Sequence, residues 1–142
     1  MLQGSESIGW KMHATNEGAD FWRFESIRWN GPKEPNALAF TKIGSIMEGL
    51  EVEHIIEYLK DIPMTVPEGR KGLDLQFSSR VWFGEAIRLL NDSQMFVHCP
   101  DVEALVREVT IQGATAQNQS IGPPRPIIAV SKVARAWPDD GY

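Results

Sequence analysis

Residues 8–29 read IGWKMHATNEGADFWRFESIRW, and this stretch decides the fold class. Ile8, Trp10 and Met12 alternate with Gly9, Lys11 and His13, the two-residue period of a half-buried strand. Asn16 to Ala19 supply turn chemistry. Residues 20–29 then predict a second, aromatic-rich strand. One of its faces carries Phe21, Arg23, Glu25, Ile27 and Trp29, and the other Asp20, Trp22, Phe24, Ser26 and Arg28. Proline and glycine cluster in NGPKEPN (30–36), a turn. A third strand is expected over 37–46, completing an antiparallel meander.

Helical spacing takes over beyond residue 50. Val52, Ile55, Ile56 and Leu59 form one stripe within 51–62, with acids in the first turn. Two prolines and two glycines make 63–76 a loop. FSSRVWFGEAIRLL (77–90) reads as a second helix headed by two serines. A third begins near Pro100, with Asp101 and Glu103 at the positive end of its dipole. Its expected buried stripe is Val102, Leu105, Val106 and Val109. GATAQNQSIGPPRP (113–126) reads as a polar connector, and 127–137 as a last strand or a short helix. Strands and helices fall in blocks without strict alternation. That order predicts a single α+β domain over residues 1–142, an antiparallel sheet with about three helices packed on one face.

Composition narrows the function. The 142 residues carry a net charge of −5, and the fourteen basic residues are scattered. That balance argues against a nucleic-acid surface, which needs clustered Lys and Arg. No apolar run approaches the roughly 20 residues that span a bilayer, so no membrane partner is expected, and the first residues lack a signal-peptide pattern. The single Cys99 excludes an internal disulfide framework and fits a reducing, cytoplasmic compartment. One cysteine and three distant histidines, His13, His54 and His98, provide no metal-ligand cluster. No motif calls for a cofactor. The expected state is a monomer or a homodimer.

Five tryptophans are many for this length, and indoles serve equally as core or as ligand-pocket walls. The strand over 20–29 therefore has two readings. Arg23 and Glu25 point the same way, and on a solvated face they form an ion pair of small worth. Against an aromatic pocket, Glu25 becomes an acid or base, and Arg23 or Arg28 stabilises developing negative charge, with Asp20 and His13 as further proton-transfer groups. Trp22, Trp29 and Trp82 would then shape the cavity. Arg80, Gly84 and Arg88 share one stripe of the second helix. Arg80 at its head is placed to guard a cleft, and Arg88 and Asp92 are spaced for a surface pair. Ser78 and Ser79 are expected as caps, since a serine nucleophile needs a base that no motif supplies.

The stretches KMHATN (11–16), ADFWRF (19–24), VEHIIEYLKD (52–61) and SSRVWFGEAI (78–87) together resemble an uncharacterised fungal family. In that family a His-Trp strand precedes a helix headed Gly-Cys-Arg-x-Trp, an arrangement similar to a circularly permuted papain-like fold. The resemblance covers roughly residues 8 to 115. It implies a thiol activated by a helix dipole and a neighbouring imidazole. Arg80, Trp82 and Trp22 match that pattern. Ser79 stands at the Cys position and Phe21 at the His position, so the resemblance implies a scaffold that has lost its hydrolytic pair, with Ser79 acting as a cap.

Two functions follow as expectations. The first is a cofactor-independent isomerase, cyclase or lyase of fungal specialised metabolism, working on a small molecule by acid–base chemistry. The second is a catalytically silent binding or interaction module.

Overall fold

A computed structural model describes residues 8–30, 39–45, 49–72, 74, 76–94, 96–119 and 127–136. In chain order the elements are β1 (Ile8–Thr15), β2 (Arg23–Asn30), β3 (Ala39–Lys42), α1 (Val52–Leu59), α2 (Ser79–Ser93), α3 (Val102–Gln119) and β4 (Ile127–Val130). A single 3-10 turn, Glu68–Arg70, precedes α2. The class is α+β, as the block order of strands and helices predicts.

β1 and β2 pair antiparallel in a register running from Ile8 opposite Asn30 to Thr15 opposite Arg23. One face of this ribbon places Trp10 beside Arg28, Met12 beside Ser26 and Ala14 beside Phe24; the other places Lys11 beside Ile27 and His13 beside Glu25. Met12, Ala14 and Phe24 join the hydrophobic core. β2 starts three residues later than expected. Asp20 and Phe21 belong instead to the connecting turn, where Gly18 takes a positive φ of 75° that suits glycine.

The third strand does not extend this ribbon. β3 pairs parallel with β4, from Ala39 opposite Ile127 to Lys42 opposite Val130. A parallel pair needs a long crossover, and the three helices between β3 and β4 supply it. This also settles 127–130 as strand. The expected turn at 30–36 lies outside the described residues except for Asn30, which ends β2. α3 runs to Gln119, well into the stretch expected as connector. Ala114, Ala116 and Gln117 are strong helix formers, and Ala116 is buried.

The core sits between the ribbon and the helices. α2 contributes Trp82, Ala86, Ile87 and Leu90; α3 contributes Val102 and Leu105; Leu59 comes from α1. Val109, expected in the buried stripe of α3, is exposed. At the start of α2, Ser78 is the N-cap and its Oγ accepts from the Val81 N–H at 3.3 Å. Ser79 is the first helical residue and is exposed. The cap is thus Ser78, not Ser79, because the residue before the first helical position has the extended backbone that aims its hydroxyl at the orphan N–H.

Candidate functional site

Two charged constellations are built on this frame. The first lies on the ribbon face turned away from the core. The register sets His13 directly opposite Glu25, and their Nε2 and Oε1 atoms are 3.0 Å apart. Arg23 Nη2 approaches the other Glu25 oxygen at 3.9 Å. The hydrogen bond with His13 holds the Glu25 carboxyl below its ordinary range. Desolvation works against it, and the charges of His13, Arg23 and Lys11 add to it. Lys11 Nζ lies 5.6 Å from the Trp29 ring centre, and Trp29 packs at a tilt on Phe40 of β3, centroids 6.0 Å apart.

Of the proton-transfer set expected from sequence, His13, Arg23 and Glu25 are brought together, and Asp20 and Arg28 are not. Asp20 is exposed in the turn. Arg28 points to the opposite ribbon face, where its guanidinium stacks 4.7 Å over Trp10. The aromatic residues separate in the same way. Trp82 is 4% exposed and stacks on Phe24, while Trp22 meets Phe77 edge-on at 5.4 Å. Both pack with the core, whereas Trp29 lies on the other face of the ribbon. The three indoles do not enclose one space, because the two-residue period sends neighbouring positions to opposite sides.

The second constellation is a half-open recess of about 450 Å³ between α2 and α3. From α2 come Arg80, Val81, Gly84 and Arg88, the four-residue stripe seen in the sequence. From α3 come Glu103, Val106, Arg107, Thr110 and Ile111, and Arg70 and Asp74 complete the lining. Glu103 Oε1 accepts from Arg88 Nη2 at 3.0 Å and also from Arg70. Arg88 additionally donates to Glu85 at 2.5 Å, so Arg88 joins Glu85 and Glu103 rather than the expected Asp92. Arg70 donates through Nε to Asp74 at 2.7 Å. That bond is the main reason its guanidinium pKa is pushed further up, ahead of the bond to Glu103, with burial opposing both. Arg80 and Arg107 are exposed at the rim and form no ion pair or hydrogen bond among the described residues.

Sequence pattern alone does not single out Arg70, Asp74 or Arg107, and places Glu103 only at the positive end of the α3 dipole. The signal existed: Glu103, Arg107 and Ile111 follow one another at four-residue spacing along a helix, as do Arg80, Gly84 and Arg88. Only the packing of α2 on α3 shows that the two stripes face each other.

The remaining candidates are spoken for locally. Cys99 is 1% exposed, and burial, the largest influence, pushes its thiol pKa up. Its backbone N–H donates to Asn91 Oδ1 at 2.9 Å. His98 exchanges backbone hydrogen bonds with Arg135. His54 Nδ1 accepts from the Glu51 N–H at 2.9 Å, capping α1. Among the described residues no group of three or more His, Cys, Asp or Glu is placed to hold a metal ion, and no helix is long and apolar enough to cross a membrane. Comparison with protein-family models, with curated proteins and with solved structures finds no match.

Proposed function

We propose that the chain is a small-molecule-binding protein working without covalent chemistry, and that its ligand enters the recess between α2 and α3. The observation that carries this is the recess itself, which includes Arg80 at the head of α2 in its lining and has the size of ordinary small-molecule sites, roughly 300–1,000 Å³. It is walled within one chain, so a monomer suffices to present it. The resemblance to a thiol-hydrolase scaffold agrees with a silent binding role. Ser79 and Phe21, at the positions of the missing pair, are both exposed, and no base lies within hydrogen-bond reach of Ser79 among the described residues. A cytoplasmic setting accords with one buried, unpaired thiol.

A second reading is favoured by the His13–Glu25 hydrogen bond. There the ribbon face performs acid–base chemistry of the isomerase, cyclase or lyase kind, Glu25 orienting His13 for proton transfer. Amide-resolved NMR during titration with a small-molecule library separates the two. Shifts confined to residues 80–88 and 103–111 support the recess, and shifts confined to 9–15 and 23–29 transfer the function to the ribbon face.

A further inference from the structure

We infer that the recess binds an organic anion, a carboxylate or phosphate monoester carried on an apolar body, with Arg80 and Arg107 as the clamp. This rests on the recess being the ligand site. Arg70 and Arg88 are held by Asp74, Glu85 and Glu103, so their charges are locally matched. Arg80 and Arg107 have no such match among the described residues. Even with Glu85 counted, four guanidiniums stand against three carboxylates, in a chain whose net charge is −5. A local excess of positive charge against that background selects for an anion, and guanidiniums bind carboxylates and phosphates through two parallel hydrogen bonds.

Glu103 does not oppose this. Its carboxylate is shared between Arg70 and Arg88, which braces the walls and leaves Arg80 and Arg107 without a carboxylate partner among the described residues. The first turn of the fifteen-residue α2 contributes Arg80 and Val81 to the lining, so the positive end of its dipole lies beside the recess and adds in the same sense.

The apolar half of the ligand follows from the other lining groups. Val81, Val106 and Ile111 present aliphatic surface to the recess, and the volume exceeds what a bare phosphate needs. Gly84 is the most telling of the lining residues. Glycine weakens a helix interior relative to alanine, so a packing requirement is the usual explanation for it. A Cβ at this position would lie 3.4 Å from Arg88 Nη1 and 3.8 Å from Val102 Cγ1, ordinary contact distances. Packing therefore does not require glycine at 84. Gly84 lines the recess, and a glycine that packing does not require is the pattern expected where stability is given up for binding.

The test is a calorimetric and amide-NMR titration of the full chain with four probes: phenyl phosphate, benzoate, benzyl alcohol and inorganic phosphate. Phenyl phosphate and benzoate should bind and shift the amides of 80–88 and 103–111, at least tenfold more tightly than benzyl alcohol and inorganic phosphate. The double variant Arg80→Gln, Arg107→Gln should weaken phenyl phosphate at least tenfold with an unchanged melting temperature, since neither side chain has a partner to lose among the described residues. Benzyl alcohol binding there as tightly as benzoate would leave the recess as the ligand site and overturn the anion inference. Undiminished phenyl phosphate affinity in the double variant would overturn it too. If no probe, charged or neutral, moves those amides, the recess reading itself falls.

Discussion

Trp82 stacks on Phe24 with ring centroids 5.9 Å apart and planes inclined by 28°, and this contact fastens the β1–β2 ribbon to α2. Trp82 is 4% exposed, and its Nε1 has no hydrogen-bond partner among the described residues. The indole is thus a core element with an unsatisfied donor. Trp82→Ala should lower stability by about 3–5 kcal/mol, the usual cost of emptying a buried aromatic site. Trp82→Phe should cost clearly less, because removing the unpaired donor returns roughly 1–3 kcal/mol against the lost ring area. Urea unfolding measures both. Wild-type stability in Trp82→Ala would mean that the indole is not part of the core.

Ser78 and Ser79 are adjacent and chemically identical, yet only Ser78 caps α2. Ser78→Ala should therefore destabilise by about 1 kcal/mol. Ser79→Ala, at an exposed first-turn position, should be neutral or slightly stabilising, since alanine is the better helix former. Equal losses from both substitutions would contradict this assignment.

Gly84→Ala should raise stability by up to about 1 kcal/mol, the helix-propensity difference. The added methyl meets the end of the flexible Arg88 side chain rather than backbone. Thermal unfolding reads the effect directly, and a drop in melting temperature would show that packing does demand glycine there.

The ribbon was legible because its information is local. Alternation in 8–15 and 20–29 correctly divided Arg23, Glu25 and Ile27 from Phe24, Ser26 and Arg28, and the register then set His13 against Glu25. What alternation does not carry is which face meets the core, so Trp29 and Trp82 read as neighbours and are not. The pairing of β3 with β4 was hidden for a related reason. It joins residues nearly ninety positions apart, and no short-range pattern encodes such a crossover. The polar run from Gly113, expected as a connector, instead continues α3 to Gln119. The Arg80, Gly84 and Arg88 stripe was visible, but its meaning depended on the opposing stripe of α3.

Cys99 should be inert. Burial raises its thiol pKa above the ordinary 9.0, and the side chain is sealed in the core. Reaction with a thiol-specific disulfide reagent at neutral pH should be undetectable in the native protein and complete after denaturation in urea. Labelling of the native protein within minutes would require either an accessible thiol or frequent local opening around Asn91 and Asp101.

Glu25 provides the pH signature. Its carboxyl is held below its ordinary value of 4.5, chiefly by the hydrogen bond with His13. A carboxylate whose pKa is lower in the folded state than in the unfolded chain adds stability above the unfolded value. That contribution declines as the pH falls from about 4.5 through the depressed folded value. Glu25→Gln removes the titrating group, so the variant should be the less stable protein near neutrality and should lose less on acidification. Urea midpoints measured across that window should therefore converge for wild type and variant as the pH falls. Parallel curves would mean that the His13 contact gives the ionised carboxylate no advantage over the neutral amide, and would also remove the orienting role on which the acid–base reading of the ribbon face depends.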